Sequence, residues 1–74
     1  MDAVARKVTE EATEVLMAAK DDATAPSPAT REALAGEAAD LIYHALVLLA
    51  ERGLPPAAVI ETLRARHAET PKSL

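Results

Sequence analysis

The run from Leu41 to Ala50 constrains this chain more than any other stretch. Apart from Tyr43 and His44 it is aliphatic at every position, so as a helix it is apolar all round. Such a helix needs cover on most of its circumference, from neighbouring helices or from another subunit. A chain of 74 residues has little to cover it with, since a domain of this size buries only about 60% of the surface its unfolded form exposes. Small folds add disulfides, a structural metal or a partner subunit. The chain has no cysteine, which removes disulfides and thiolate zinc sites and fits a reducing compartment. A partner subunit is therefore expected.

The residues that make up the apolar half of the composition are alanine, leucine and valine, with Tyr43 the sole aromatic. That favours helix over strand. Val4, Val8, Ala12, Val15 and Ala19 recur at steps of three and four and predict a helix over residues 2–20. Residues 21–29, with Pro26 and Pro28, read as a loop, and Thr30 as the cap of a second helix over about 31–52. Gly36 weakens that helix by roughly 1 kcal/mol relative to alanine, so a close approach by a neighbour is expected there. Gly53 stands where a helix end takes positive φ. Pro56 opens a third helix, roughly 56–68, with Val59, Ile60 and Leu63 turned inward, Arg64, Arg66 and His67 forming a solvated end, and residues 69–74 a frayed tail. The fold class is all-α, an antiparallel helical bundle in one domain spanning 1–74 and completed by dimerisation. The net charge of -4, without a basic stripe, argues against a nucleic-acid partner. Unbroken apolar runs fall short of the roughly 20 residues of a membrane span, and the N-terminus lacks a signal-peptide pattern. A soluble, cytoplasmic protein with no membrane partner is expected.

The placement of the acids is the chemical clue. Glu11 and Glu14 are three apart and share a helix face; Glu37 and Asp40 repeat the spacing, and Glu10 adjoins the first pair. Antiparallel packing of the first two helices would bring both pairs together, at a cost that rises as water is excluded. A hard divalent cation relieves that cost, and oxygen donors suit Mg²⁺, which keeps several waters and is commonly shared with substrate phosphates. The alternative is an ordinary solvated acidic face, since glutamate is a good helix former. Glu37 and Asp40 flank the apolar face rather than opposing it, and the pattern by itself leaves both readings open. A di-iron or di-manganese bundle requires Glu-x-x-His pairs, and the chain has none; His44 follows Asp40 by four. His44 reads as a hydrogen-bonded interface residue and Tyr43 as packing.

The segment Lys7-Val8-Thr9-Glu10-Glu11-Ala12-Thr13-Glu14-Val15 through Ala18-Ala19-Lys20, with Glu37-Ala38-Ala39-Asp40-Leu41-Ile42-Tyr43-His44 and Arg52-Gly53-Leu54, resembles the phosphoribosyl-ATP pyrophosphatase family of histidine biosynthesis. EExxE followed by ExxD marks the wider all-α nucleotide pyrophosphohydrolase superfamily, related to MazG and the dimeric dUTPases. The Ala-Ala-Lys and Tyr-His flanks point to the particular enzyme, and the resemblance covers about residues 4–68. It implies a helical homodimer that hydrolyses phosphoribosyl-ATP, a small-molecule nucleotide, to phosphoribosyl-AMP and pyrophosphate with Mg²⁺, or Mn²⁺ in its place. By the same resemblance Glu11, Glu14, Glu37 and Asp40 are metal ligands. Glu10 is the remaining motif acid, a water activator or second-metal ligand, and Lys7 and Lys20 contact phosphate. The chain departs from the family pattern in three ways. The usual preceding helix is expected to be missing, Thr9 replaces a glycine, and the Pro26–Pro28 loop is expected to be long. The rivals are a house-cleaning nucleoside triphosphate pyrophosphohydrolase of the same superfamily and a non-catalytic helical dimerisation module.

Overall fold

The structure is a computed structural model that describes residues 1–68. The expected tail at 69–74 lies outside the described residues. Three helices follow one another: α1 (Asp2–Thr24), α2 (Pro28–Glu51) and α3 (Pro56–His67), with no strand among the described residues. The all-α expectation holds.

The first connection is shorter than the sequence suggested. Asp21 to Thr24 contain no helix breaker, so α1 runs on until Ala25, whose φ of -144° and ψ of 78° leave the helical region directly before Pro26. Pro28 does not interrupt the chain but starts α2, where its missing N–H has no helical partner to lose. Only residues 25–27 separate the two helices. Ser27, not Thr30, is the N-cap. The Thr30 amide donates to Ser27 Oγ at 3.0 Å, and the Ser27 amide donates to Thr30 Oγ1 at 2.8 Å. This is a reciprocal capping box that satisfies two otherwise orphaned donors. At the far end, the Leu54 amide donates to the Leu49 carbonyl and the Gly53 amide to the Ala50 carbonyl, both at 2.9 Å. With Gly53 at φ 76° this is a Schellman closure. The turn at Gly53 is as the sequence implied.

Helices α1 and α2 form an antiparallel hairpin tied at three levels. At the open end the Met1 amino group lies 3.3 Å from Glu51 Oε1. Midway, Glu11 meets His44. At the closed end, buried Asp22 accepts from Thr30 Oγ1 at 2.8 Å and from an Arg31 guanidinium nitrogen at 3.3 Å. The third helix touches only the end of α2 and lines an open groove with Leu49, Leu54, Val59 and Leu63.

No apolar side chain among the described residues is fully buried. Leu41 and residues 44–49 are half-buried, while Ile42, Tyr43 and Ala50 are exposed, so the described residues of one chain do not supply the cover that the 41–50 run requires. Ile60 and Leu63, expected to face inward, are exposed: Leu63 lines the open groove, and among the described residues α3 packs only against α2. A Cβ built on Gly36 would meet nothing within 4 Å, so the expected close neighbour is not found among the described residues. With 18-residue windows of mean hydropathy 1.5, α2 is long and apolar enough to cross a membrane, contrary to the reading from unbroken runs. A bundle's core helix has the same profile, and α2 faces α1 with Glu37, Asp40 and His44 in its middle. An ionised aspartate there would cost about 3 kcal/mol in hydrocarbon.

Candidate metal centre

Glu37, Asp40 and His44 are spaced by three and four, and so form one row along α2. On α1, Glu14 and Glu11 form the facing row, running the other way because the helices are antiparallel. The hairpin register places Glu14 beside Glu37 and Glu11 beside His44. The Glu37 carboxyl is consequently held above the ordinary glutamate range. Hydrogen bonding to the Glu14 carboxyl is the largest cause, followed by partial burial and by the charges of Glu14, Asp40 and Glu11. The other three acids of the two pairs therefore all act on Glu37. The side chains do not form a closed cage: among the described residues no three His, Asp or Glu groups converge tightly enough to hold an ion as they stand.

Glu11 is the most buried of the four, with 6% of its surface exposed. His44 Nδ1 lies 2.7 Å from Glu11 Oε1 and 3.2 Å from the Asp40 carbonyl oxygen. Both neighbours are acceptors, so Nδ1 carries the proton and donates to both. The edge of the Tyr43–His44 pair is T-shaped, with ring centroids 5.0 Å apart. Glu37 is half-buried, and Glu14 and Asp40 are exposed at the rim.

The other residues singled out from the sequence lie outside this row. Glu10 is one position from Glu11, rotated about 100° around the helix, and it is exposed without a hydrogen bond or ion pair among the described residues. Lys7 and Lys20 are also exposed on α1, with no ion pair among the described residues. The residue that sequence reasoning undervalued is His44. Its spacing from Glu37 and Asp40 put it on the acidic row, but only the packing showed which carboxylate it meets.

A family model described as phosphoribosyl-ATP pyrophosphohydrolase matches residues 1–67. The chain is 53% identical over 67 residues to a phosphoribosyl-ATP pyrophosphatase of Polaromonas sp. (strain JS666), an overlap of 89% of this chain and 53% of that protein. It is 51% identical over 66 residues to the phosphoribosyl-ATP pyrophosphatase of Pelotomaculum thermopropionicum, covering 89% of this chain and 60% of that one. It is also 46% identical over 69 residues to a histidine biosynthesis bifunctional protein of Bacillus subtilis, covering 93% of this chain and 30% of the relative. The match thus spans 53%, 60% and 30% of the length of these curated relatives, less than two thirds of each. No solved structure matches it.

Proposed function

The chain belongs to the phosphoribosyl-ATP pyrophosphohydrolase family, and from that membership we propose that it hydrolyses phosphoribosyl-ATP to phosphoribosyl-AMP and pyrophosphate in an Mg²⁺-dependent step of histidine biosynthesis. The observation that carries the reading is the hairpin register, which sets Glu14 beside Glu37 and Glu11 beside His44, so that Glu11, Glu14 and Asp40 all act on the Glu37 carboxyl. The donor set is all oxygen and open on the rim, which suits a hard ion that keeps several of its waters; Mn²⁺ fits the same set. Bound there, the ion would neutralise phosphate charge and acidify a water.

The remaining work falls to the chain's own groups. Glu11, Glu14, Glu37 and Asp40 would hold the ion, and their row would orient the phosphate chain along the hairpin. Glu10, the exposed acid adjoining Glu11 but turned off the row, is assigned to take the attacking water's proton. The anhydride between the α- and β-phosphates breaks, the water's oxygen stays on one phosphorus, and pyrophosphate leaves intact. Lys7 and Lys20 supply positive charge to the phosphates as they separate. The exposed Leu16, Met17, Ile42, Tyr43, Ile60 and Leu63 are the faces that a homodimer would cover. A cytoplasmic location accords with this reaction.

Phosphoribosyl-ATP incubated with the chain and Mg²⁺ should yield phosphoribosyl-AMP and undivided pyrophosphate. Asp40→Asn should lower turnover about 100-fold, the scale of losing one strong electrostatic contact. Cleavage of dUTP or dCTP with phosphoribosyl-ATP left untouched would transfer the reading to a house-cleaning pyrophosphohydrolase. Hydrolysis of none of them, with Mg²⁺ bound no better than by Asp40→Asn, would leave a helical dimerisation module.

A further inference from the structure

We propose that His44 is a positioning residue that fixes the Glu11 carboxylate for cation binding, through the hydrogen bond from its Nδ1–H to Glu11 Oε1. The proposal rests on the metal-centre reading above and assigns to His44 a role that the acidic pattern alone does not contain. Glu11 and Asp22 are the two buried charged residues of the described chain, and each has found a partner on the opposite helix. A carboxylate taken out of water needs such a partner, because the desolvation cost otherwise falls on the charged form. Asp22 is held in the hairpin's closing turn, where it ties structure only. Glu11 is held in the acidic row, where its orientation matters to chemistry.

The geometry is specific at both ends of the bond. His44 Nδ1 also reaches the carbonyl of Asp40, one turn back on its own helix, at 3.2 Å. That second contact fixes the ring against α2, so the 2.7 Å bond to Oε1 sets the direction of the Glu11 carboxylate. Glu11 Oε1 is occupied by His44, and no other hydrogen bond to this carboxylate forms among the described residues. Oε2 is therefore the oxygen of this carboxylate left for the row. Ligating carboxylates are commonly oriented by such outer partners, and removing the partner weakens metal affinity by about 10- to 100-fold.

The test is calorimetric titration of the full chain with Mg²⁺, with metal-free protein followed by long-range ¹H–¹⁵N NMR of the imidazole. Asparagine places an amide N–H near the position of Nδ1, whereas glutamine places its amide near Nε2. His44→Asn should therefore bind Mg²⁺ close to the parent's affinity, while His44→Gln and His44→Leu should bind about 10- to 100-fold more weakly. If His44→Leu loses its helical circular dichroism, the Asn and Gln pair, which differ by one methylene, still decide. The metal-free parent should show the ring proton on Nδ1. Equal affinity in the parent and all folded variants would overturn the positioning role while leaving the metal centre standing. A ring protonated only on Nε2 would overturn it as well. A parent that binds no Mg²⁺ would remove the metal centre, and the positioning role with it.

Discussion

At the scale of single residues, the acidic row stores unfavourable energy that should be visible without any ligand. Glu37 takes up a proton more readily in the native chain than in the unfolded one. Its contribution to stability is then full below the unfolded glutamate pKa and is lost as pH rises through the raised native value. Metal-free protein should accordingly melt lower at neutral pH than in mild acid, and Glu37→Gln should flatten that part of the profile. Because Glu37 is partly exposed, water and salt screen the effect, which should shrink at high ionic strength. An unchanged slope in Glu37→Gln would mean that another group governs it. The same repulsion predicts that millimolar Mg²⁺ raises the melting temperature, by an amount set by RT ln(1 + [L]/Kd). Glu14→Gln should blunt that rise; equal responses in parent and variant would place the cation elsewhere.

At the scale of the helices, two substitutions separate local from packed effects. Gly36 lies inside α2 with open space where a Cβ would stand. Gly36→Ala should stabilise the chain by about 1 kcal/mol, since helical glycine loses the most backbone freedom on folding. A fall in melting temperature instead would show that another molecule lies against Gly36 in solution. Thr30 joins the capping box to the only contact between the closing turn and buried Asp22 besides Arg31. Thr30→Val removes the half of the box in which the Ser27 amide donates to Thr30 Oγ1 and leaves the Asp22 carboxylate with Arg31 as its partner among the described residues, so denaturant unfolding should show a loss of about 1–3 kcal/mol. A change below a few tenths would mean that the hairpin closure does not depend on this network.

At the scale of the whole molecule, the single chain is extended and thin, measuring 39 × 37 × 15 Å with a radius of gyration of 14.7 Å. A compact chain of this length would have a radius of about 11 Å. The excess comes from α3, which leaves the hairpin after Gly53 and presents Ile60 and Leu63 to solvent. With no fully buried apolar side chain among the described residues, a lone copy has only a reduced share of the term that dominates folding. The folded state should therefore be an oligomer whose midpoint of unfolding rises with protein concentration. A monomeric mass through micromolar dilution, with an unchanged melting temperature, would sink that expectation.

Much of this molecule could be read locally. The helical periodicity, the turn at Gly53 and the paired acids depend on residues a few positions apart, and helix formation is itself a short-range matter of backbone hydrogen bonds. The start of α2 was harder to read, because Ser27 and Thr30 are both good caps and the prolines suggested a break. The two residues turn out to share one capping box, with the Thr30 hydroxyl also reaching Asp22 eight positions upstream. Which acid would be buried, and what would meet it, had no local answer. Glu11 and His44 are 33 residues apart, and their contact exists only because two antiparallel helices settle in one register. Sequence spacing dictates which side chains share a face of one helix; the pairing of two faces depends on packing between distant segments, and that was decided only in the tertiary structure.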